Sequence, residues 1–139
     1  MILKSNEFSG IVVSAKANYF NVEIDFSDKN LEMSNEIDSN SERILCTRRS
    51  KLKYHGHRIN VGDNVLVENI DWNHKRGVVF KVLDRSTFLE RPSVANVNNI
   101  IVILSLSQPS FDIDQANRFL ITAENTDLNV SLVLTKSDL

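Results

Sequence analysis

Tyr19-Phe20-Asn21-Val22-Glu23-Ile24-Asp25-Phe26 sets Phe20, Val22, Ile24 and Phe26 against Asn21, Glu23 and Asp25. Alternation with period two marks a strand with one face in a core and the other in water. Upstream, Phe8-Ser9-Gly10-Ile11-Val12-Val13-Ser14 is apolar and β-branched, and Ala15-Lys16-Ala17-Asn18 reads as the reversal between two strands. Downstream, Ser27 to Glu42 is acidic and rich in Asn and Ser, and reads as a long loop. Arg43 to Thr47 reads as a third strand, Asn64 to Ile70 as a fourth and Val78 to Leu83 as a fifth. Ile59 to Asp63 is a turn signal between them, and Asp71 to Gly77 is a polar hairpin loop. Five short strands without a helix predict an all-β OB-fold barrel, whose loops and one open face bind oligonucleotides. Phe8, Phe20, Phe26 and Phe80 are expected in its core, with Cys46 packed and inert.

The whole chain has 139 residues, 42% hydrophobic and 24% charged. That is one ordinary domain, or a small domain plus part of another, and it excludes disordered and low-complexity classes. A single cysteine excludes a disulfide-stapled fold, and His55 and His57 have no cysteine at zinc-ligand spacing. Of the four glycines, only Gly56 and Gly62 approach a phosphate loop. Their spacing is one residue too long, and Asp63 stands where Lys is needed. The N-terminus has no apolar signal core, and the longest aliphatic run is Ile100 to Leu104. A cytoplasmic location and no membrane association are therefore expected.

The net charge of −2 conceals an asymmetry: −5 over residues 1–42, +6 over 43–91 and −3 over 92–139. Arg43, Arg48, Arg49, Lys51, Lys53 and Arg58 follow one another with no acid between them. Clustered cations on one segment are the footprint of polyanion binding by counterion release. Arg48, Arg49, Lys51, Lys53 and Arg58 are the candidate RNA contacts, against a merely solvated cationic face. Trp72, Lys75 and Arg76 form a second candidate at the hairpin tip, with Trp72 either stacked on RNA or folded back onto the barrel. Tyr54, His55 and His57 either stack on bases or line a wet turn. Arg85 and Arg91 are expected to tie the barrel to the second domain, and Arg118 to lie at the surface or between domains.

After Pro92 the pattern changes. Ile100 to Leu104 is continuously apolar, as strands buried on both faces are. Ser110-Phe111-Asp112 carries a helix N-cap signal. Ile113, Ala116, Asn117, Leu120 and Ala123 share one helical stripe, with Phe119 beside it and an end near Asn125. Val130 to Leu134 is a second buried strand, completing one βαβ unit. One such unit leaves a sheet face uncovered, so either it packs on something outside the chain or the sequence is cut; truncation is the favoured expectation.

Thr135-Lys136-Ser137-Asp138 follows that strand, where ligands of α/β sheets bind. Guanine presents two adjacent donors, N1–H and the N2 amine, and the Asp138 carboxylate can accept both. The Lys136 stem can lie along the base plane, with its ammonium free for the ribose or the loop. Thr135 can brace the loop, with Ser137 as the variable third position. The alternative is an ordinary polar loop in which Ser137 or Asp138 caps a helix.

Taken together, the chain resembles the RsgA (YjeQ) family of small-ribosomal-subunit biogenesis GTPases. The residues that carry the resemblance are Gly10-Ile11-Val12, Tyr19, and Val61-Gly62-Asp63-Asn64-Val65. They continue through Arg85-Ser86-Thr87-Phe88-Leu89-Glu90-Arg91-Pro92, Val94-Ala95-Asn96-Val97 and Gln108-Pro109-Ser110-Phe111. Last come Arg118-Phe119-Leu120 and the Thr135–Asp138 motif. Two positions depart: Thr135 where the family often has Asn, and Asn98 where it usually has Asp. The resemblance implies an OB-fold RNA-binding domain over residues 1–92, then the start of a circularly permuted GTPase domain over 93–139. It implies GTP as ligand, the small ribosomal subunit and its rRNA as partners, and a monomer. The phosphate loop, the Mg²⁺-binding segments and the Zn²⁺ ligands of the family would lie beyond Leu139, so these 139 residues alone are expected to be inactive. The competing reading is a stand-alone OB-fold RNA-binding protein with no nucleotide dependence.

Overall fold

The structure, a computed structural model, describes residues 6–26, 41–53 and 58–138, without the side chains of Ser41, Lys51 and Lys53. Tyr54, His55, His57 and most of the expected acidic loop lie outside the described residues. The chain divides into two compact units, Met1–Asn96 and Val97–Leu139.

The first unit is a closed barrel in the order β1-β2-β3-β5-β4, with β4 returning to β1. Its strands are β1 (Glu7–Lys16), β2 (Tyr19–Asp25), β3 (Ser41–Arg48), β4 (Asn64–Asp71) and β5 (Arg76–Val82). All neighbours are antiparallel except β3 and β5, which run parallel. Closure pairs every strand on both sides and leaves no edge to cover. The alternation seen in residues 19–26 is realised directly: Phe20, Val22 and Ile24 point inward. They meet Val12, Ile44, Cys46, Val65, Val67 and Val79 in one core.

Phe80 is corrected. The inward positions of β5 are Gly77 and Val79, so Phe80 stands on the opposite face and is only half-buried. Val78-Val79-Phe80 is apolar without alternation, and the packing decides which face turns in. A Cβ at Gly77 would lie 2.8 Å from Val67 Cγ1, so β5 crosses the core without a side chain there. Cys46 is fully buried, and burial pushes its thiol up to about 12, far from reactive.

Beyond the barrel, a small hairpin of β6 (Phe88–Glu90) and β7 (Ser93–Ala95) turns at Arg91-Pro92. Val94 bridges back to Val61, which keeps this hairpin with the barrel and moves the division past the expected 92/93 boundary.

The second unit is β8 (Asn99–Ser105), α1 (Ile113–Glu124) and β9 (Asn129–Thr135), with β8 and β9 parallel from Asn99↔Asn129 to Ser105↔Thr135. Asp112, within the Ser110-Phe111-Asp112 signal, is the N-cap: its Oδ1 accepts from the Asp114 and Gln115 N–H groups at 2.9 and 3.1 Å. The expected helical stripe is narrower than its spacing implied. Ala116 and Ala123 are buried, while Ile113, Asn117 and Phe119 are exposed. Nor are the strands buried on both faces: Ile101, Ile103, Leu132, Val133 and Leu134 are all exposed.

Candidate functional site

The basic segment leaves the barrel at the end of β3. Arg48 closes that strand, Ser50–Lys53 form one 3-10 turn, and Arg58 is exposed just before β4. The Arg49 N–H donates to Val79 O at 2.9 Å, and its guanidinium pairs with Glu68 at 3.2 Å, so this end of the segment is fastened to the barrel wall. Arg48, Arg58 and Arg76 have no ion pair among the described residues, so their charge remains available to a polyanion. Lys75 is different: its ammonium is 2.9 Å from Glu42. Exposed pairs of this kind add little stability, but they cancel charge locally.

At the hairpin tip, Trp72 is folded onto the barrel. Its ring centroid is 5.2 Å from Phe8 in an edge-on contact and 5.8 Å from Phe26. It packs its edge on these rings while 37% of the residue stays open to solvent. His74 turns back on Asp71: its backbone N–H donates to Oδ1 at 3.0 Å and its Nδ1 lies 2.8 Å from Oδ2. These contacts, the backbone bond first, hold the Asp71 carboxyl below its ordinary value.

Arg85 is a further correction, because its partner lies within the barrel unit. Nε and Nη2 donate to the two oxygens of Asp63 at 2.7 and 2.9 Å. Asp63 is fully buried, and Asn60 N–H also donates to it at 2.8 Å. The hydrogen bonds to Asp63 raise the Arg85 pKa, and the fork geometry fixes its plane 4.4 Å over the Phe88 ring. Asn96 completes the clasp, donating to Gly62 O at 2.8 Å and accepting from Ser86 N–H at 2.8 Å. Gly62 takes φ +85°, and a Cβ there would sit 2.1 Å from Ala95 O, so only glycine fits. Spacing had no means of showing that these distant residues meet.

The Thr135–Asp138 motif lies where β8 and β9 both end. Thr135 Oγ1 donates to Leu104 O at 3.3 Å, and Leu106 N–H donates to Thr135 O at 3.0 Å, so the two strand ends are stitched together. Lys136 adopts φ +56° and its ammonium donates to Gln108 O in the neighbouring loop. Ser137 and Asp138 are exposed in the following turn, and Asp138 has no partner among the described residues. An unengaged carboxylate beside an aliphatic lysine stem fits the donor pair of guanine. Among the described residues no three His, Cys, Asp or Glu side chains converge as metal ligands would. No described helix is long and apolar enough to cross a membrane.

Residues 82–139 match the family model of the RsgA GTPase. The chain is 46% identical, over 99% of its length, to the small ribosomal subunit biogenesis GTPase RsgA of a Prochlorococcus marinus strain, covering 45% of that protein. Its identity to the protein of that name from a Synechococcus strain is 49%, over 100% of this chain and 43% of the relative. Among solved structures it is similar to YjeQ from Thermotoga maritima, with TM-score 0.72 and 31% identity, covering 95% of this chain and 42% of that one. It is similar as well to YloQ, a circularly permuted GTPase, with TM-score 0.71 and 25% identity over 96% of this chain and 42% of that one. The chain thus spans less than half the length of the relatives it matches.

Proposed function

The chain belongs to the RsgA family, and from that premise we propose that it is the N-terminal part of a ribosome-associated GTPase acting in late maturation of the small ribosomal subunit. The barrel engages rRNA, and the βαβ unit reads the guanine of GTP. The observation that carries this reading is the parallel pairing of β8 and β9, which sets Thr135–Asp138 beside the loop after Ser105 at the carboxyl ends of the strands. In this reading Asp138 accepts from guanine N1–H and N2–H. Lys136 lays its stem along the base while Gln108 O holds its ammonium, and Thr135 fixes the loop through Leu104 O. Mg²⁺ and the phosphate loop are supplied by other parts of the complete protein, which hydrolyses GTP in the cytoplasm; these 139 residues by themselves are inactive.

The test is Asp138→Asn in the complete gene product. GTP affinity falls roughly 10- to 100-fold, the size of one bidentate base contact, and XTP affinity rises. Unchanged GTP affinity removes the guanine-reading role. On the RNA side, Arg48, Arg49 and Lys51 changed to Ala weaken small-subunit binding and flatten its salt dependence by about 0.7 to 0.9 log–log units per lost phosphate contact.

A further inference from the structure

We propose that the outer face of the barrel, from β2 across β3 and β5 to β4, holds one unpaired base of single-stranded RNA, stacked on Tyr19 with its phosphate at Arg76. The proposal deepens the RNA-binding reading above and rests on it. The strand register builds the site. Tyr19 lies beside Thr47, and Thr47 beside Val78. One step along, Leu45 lies beside Arg76, and Arg76 beside Asp71. Their sequence neighbours Phe20, Cys46, Gly77 and Val79 are buried, so this set faces outward. Between them lies a groove of about 490 Å³, with Tyr19, Leu45, Thr47, Asn69, Asp71 and Arg76 in its wall.

The groove has the parts that a base needs. Tyr19 is 56% exposed, so a ring face is open at one end. Leu45 and Val78 provide an apolar floor, and the Thr47 hydroxyl and Asn69 amide can meet a base edge. Arg76 is a cation without an ion-pair partner among the described residues. Asp71 meets His74 with both oxygens and retains lone pairs for an exocyclic amino donor. The charge around the groove favours RNA over a peptide. Thr47 runs directly into Arg48 and the acid-free basic segment, so a strand leaving the groove meets further cations. Duplex RNA keeps its base faces stacked on each other and offers none to Tyr19.

Fluorescence anisotropy of the 139-residue chain with a labelled 12-nucleotide oligocytidine tests this. Tyr19→Ala weakens binding about tenfold, the scale of one stacked base, and Tyr19→Phe stays within about twofold. Arg76→Gln weakens binding and lowers the salt slope by about 0.7. Oligouridine, which lacks the amino donor, binds more weakly than oligocytidine, and a duplex of equal length fails to displace the single strand. Trp72 fluorescence, matched to the wild type, shows that each variant keeps its barrel. Unchanged binding by Tyr19→Ala, an equal loss in Tyr19→Phe, or full displacement by duplex or by a proline-rich peptide overturns the groove. If the groove variants bind normally while Arg48→Ala with Arg49→Ala loses affinity, RNA binding stands and only the groove falls. If no variant differs from wild type, both readings fall.

Discussion

The barrel and the βαβ unit are built from equally apolar strands and reach different ends. In the barrel, β4 returns to β1 and every inward side chain meets others across a closed wall, so Ile44 is fully buried. In the second unit, two parallel strands carry one helix, and Ile103 at the centre of β8 is 64% exposed. Hydrophobic content alone therefore does not make a core; closure or a covering layer does. The barrel is complete as it stands, whereas the βαβ unit presents apolar surface that a complete α/β sheet covers on both faces.

That contrast is open to direct attack. Ile44→Ala should cost about 3–5 kcal/mol, because it leaves a cavity among Val22, Cys46 and their neighbours that a closed barrel cannot collapse into. Urea unfolding followed by Trp72, the one tryptophan in the chain, reads the barrel alone through the Phe8 and Phe26 contacts. A loss below about 1 kcal/mol would mean the barrel is looser than its burial implies. Next, Arg85→Ala should cost about 3 kcal/mol, since it strands the buried Asp63 carboxylate with one remaining donor, Asn60 N–H. Arg85→Lys should restore only part of the loss, because an ammonium cannot reproduce the fork. Full rescue by Lys would show that charge, not geometry, holds the clasp.

A smaller effect concerns acid. The Asp71 pKa is lowered from 3.8 by the His74 N–H and imidazole. A depressed folded value means its stabilisation is present above the unfolded value and is lost as pH falls through the folded one. The hairpin tip should therefore loosen only below about pH 4. An NMR titration of the Asp71 carboxyl with a midpoint at or above 3.8 would remove the contact's significance.

How far the residues announced this structure also differs between the regions. Period two in residues 19–26 and the turn residues between strands carried the barrel, its strand order apart. They failed at Val78-Val79-Phe80, where a continuous apolar run leaves the inward face to be chosen by Val67 and Cys46 against Gly77. The clasp was invisible, because Asp63 and Arg85 are 22 positions apart and pair by tertiary approach. Each strand of the β6–β7 hairpin has three residues, too short for a period to show. The contacts of Trp72 with Phe8 and Phe26 join residues far apart in the chain, so its spacing could not show them. The position of Thr135–Asp138 at a strand end was legible, because it depends only on the local pattern of the preceding strand. Arg48 to Arg58 was readable only as charge, since the pairing of Arg49 depends on Glu68 across the wall.

The smallest expected effect is the most informative about the second region. Ile103→Ala removes the same atoms as Ile44→Ala, yet with 64% of the residue in water it should change the stability of the 139-residue chain by no more than about 0.5 kcal/mol. Unfolding of α1, followed by far-UV circular dichroism, is the measurement, because Trp72 reports only on the barrel. The same substitution in the complete gene product should cost more, about 2 kcal/mol, if further strands or helices cover β8 there. A cost that is equally small in both would mean that the β8 face stays open to water in the whole protein. The apolar run from Ile100 to Leu104 would then need a binding role instead of a packing one.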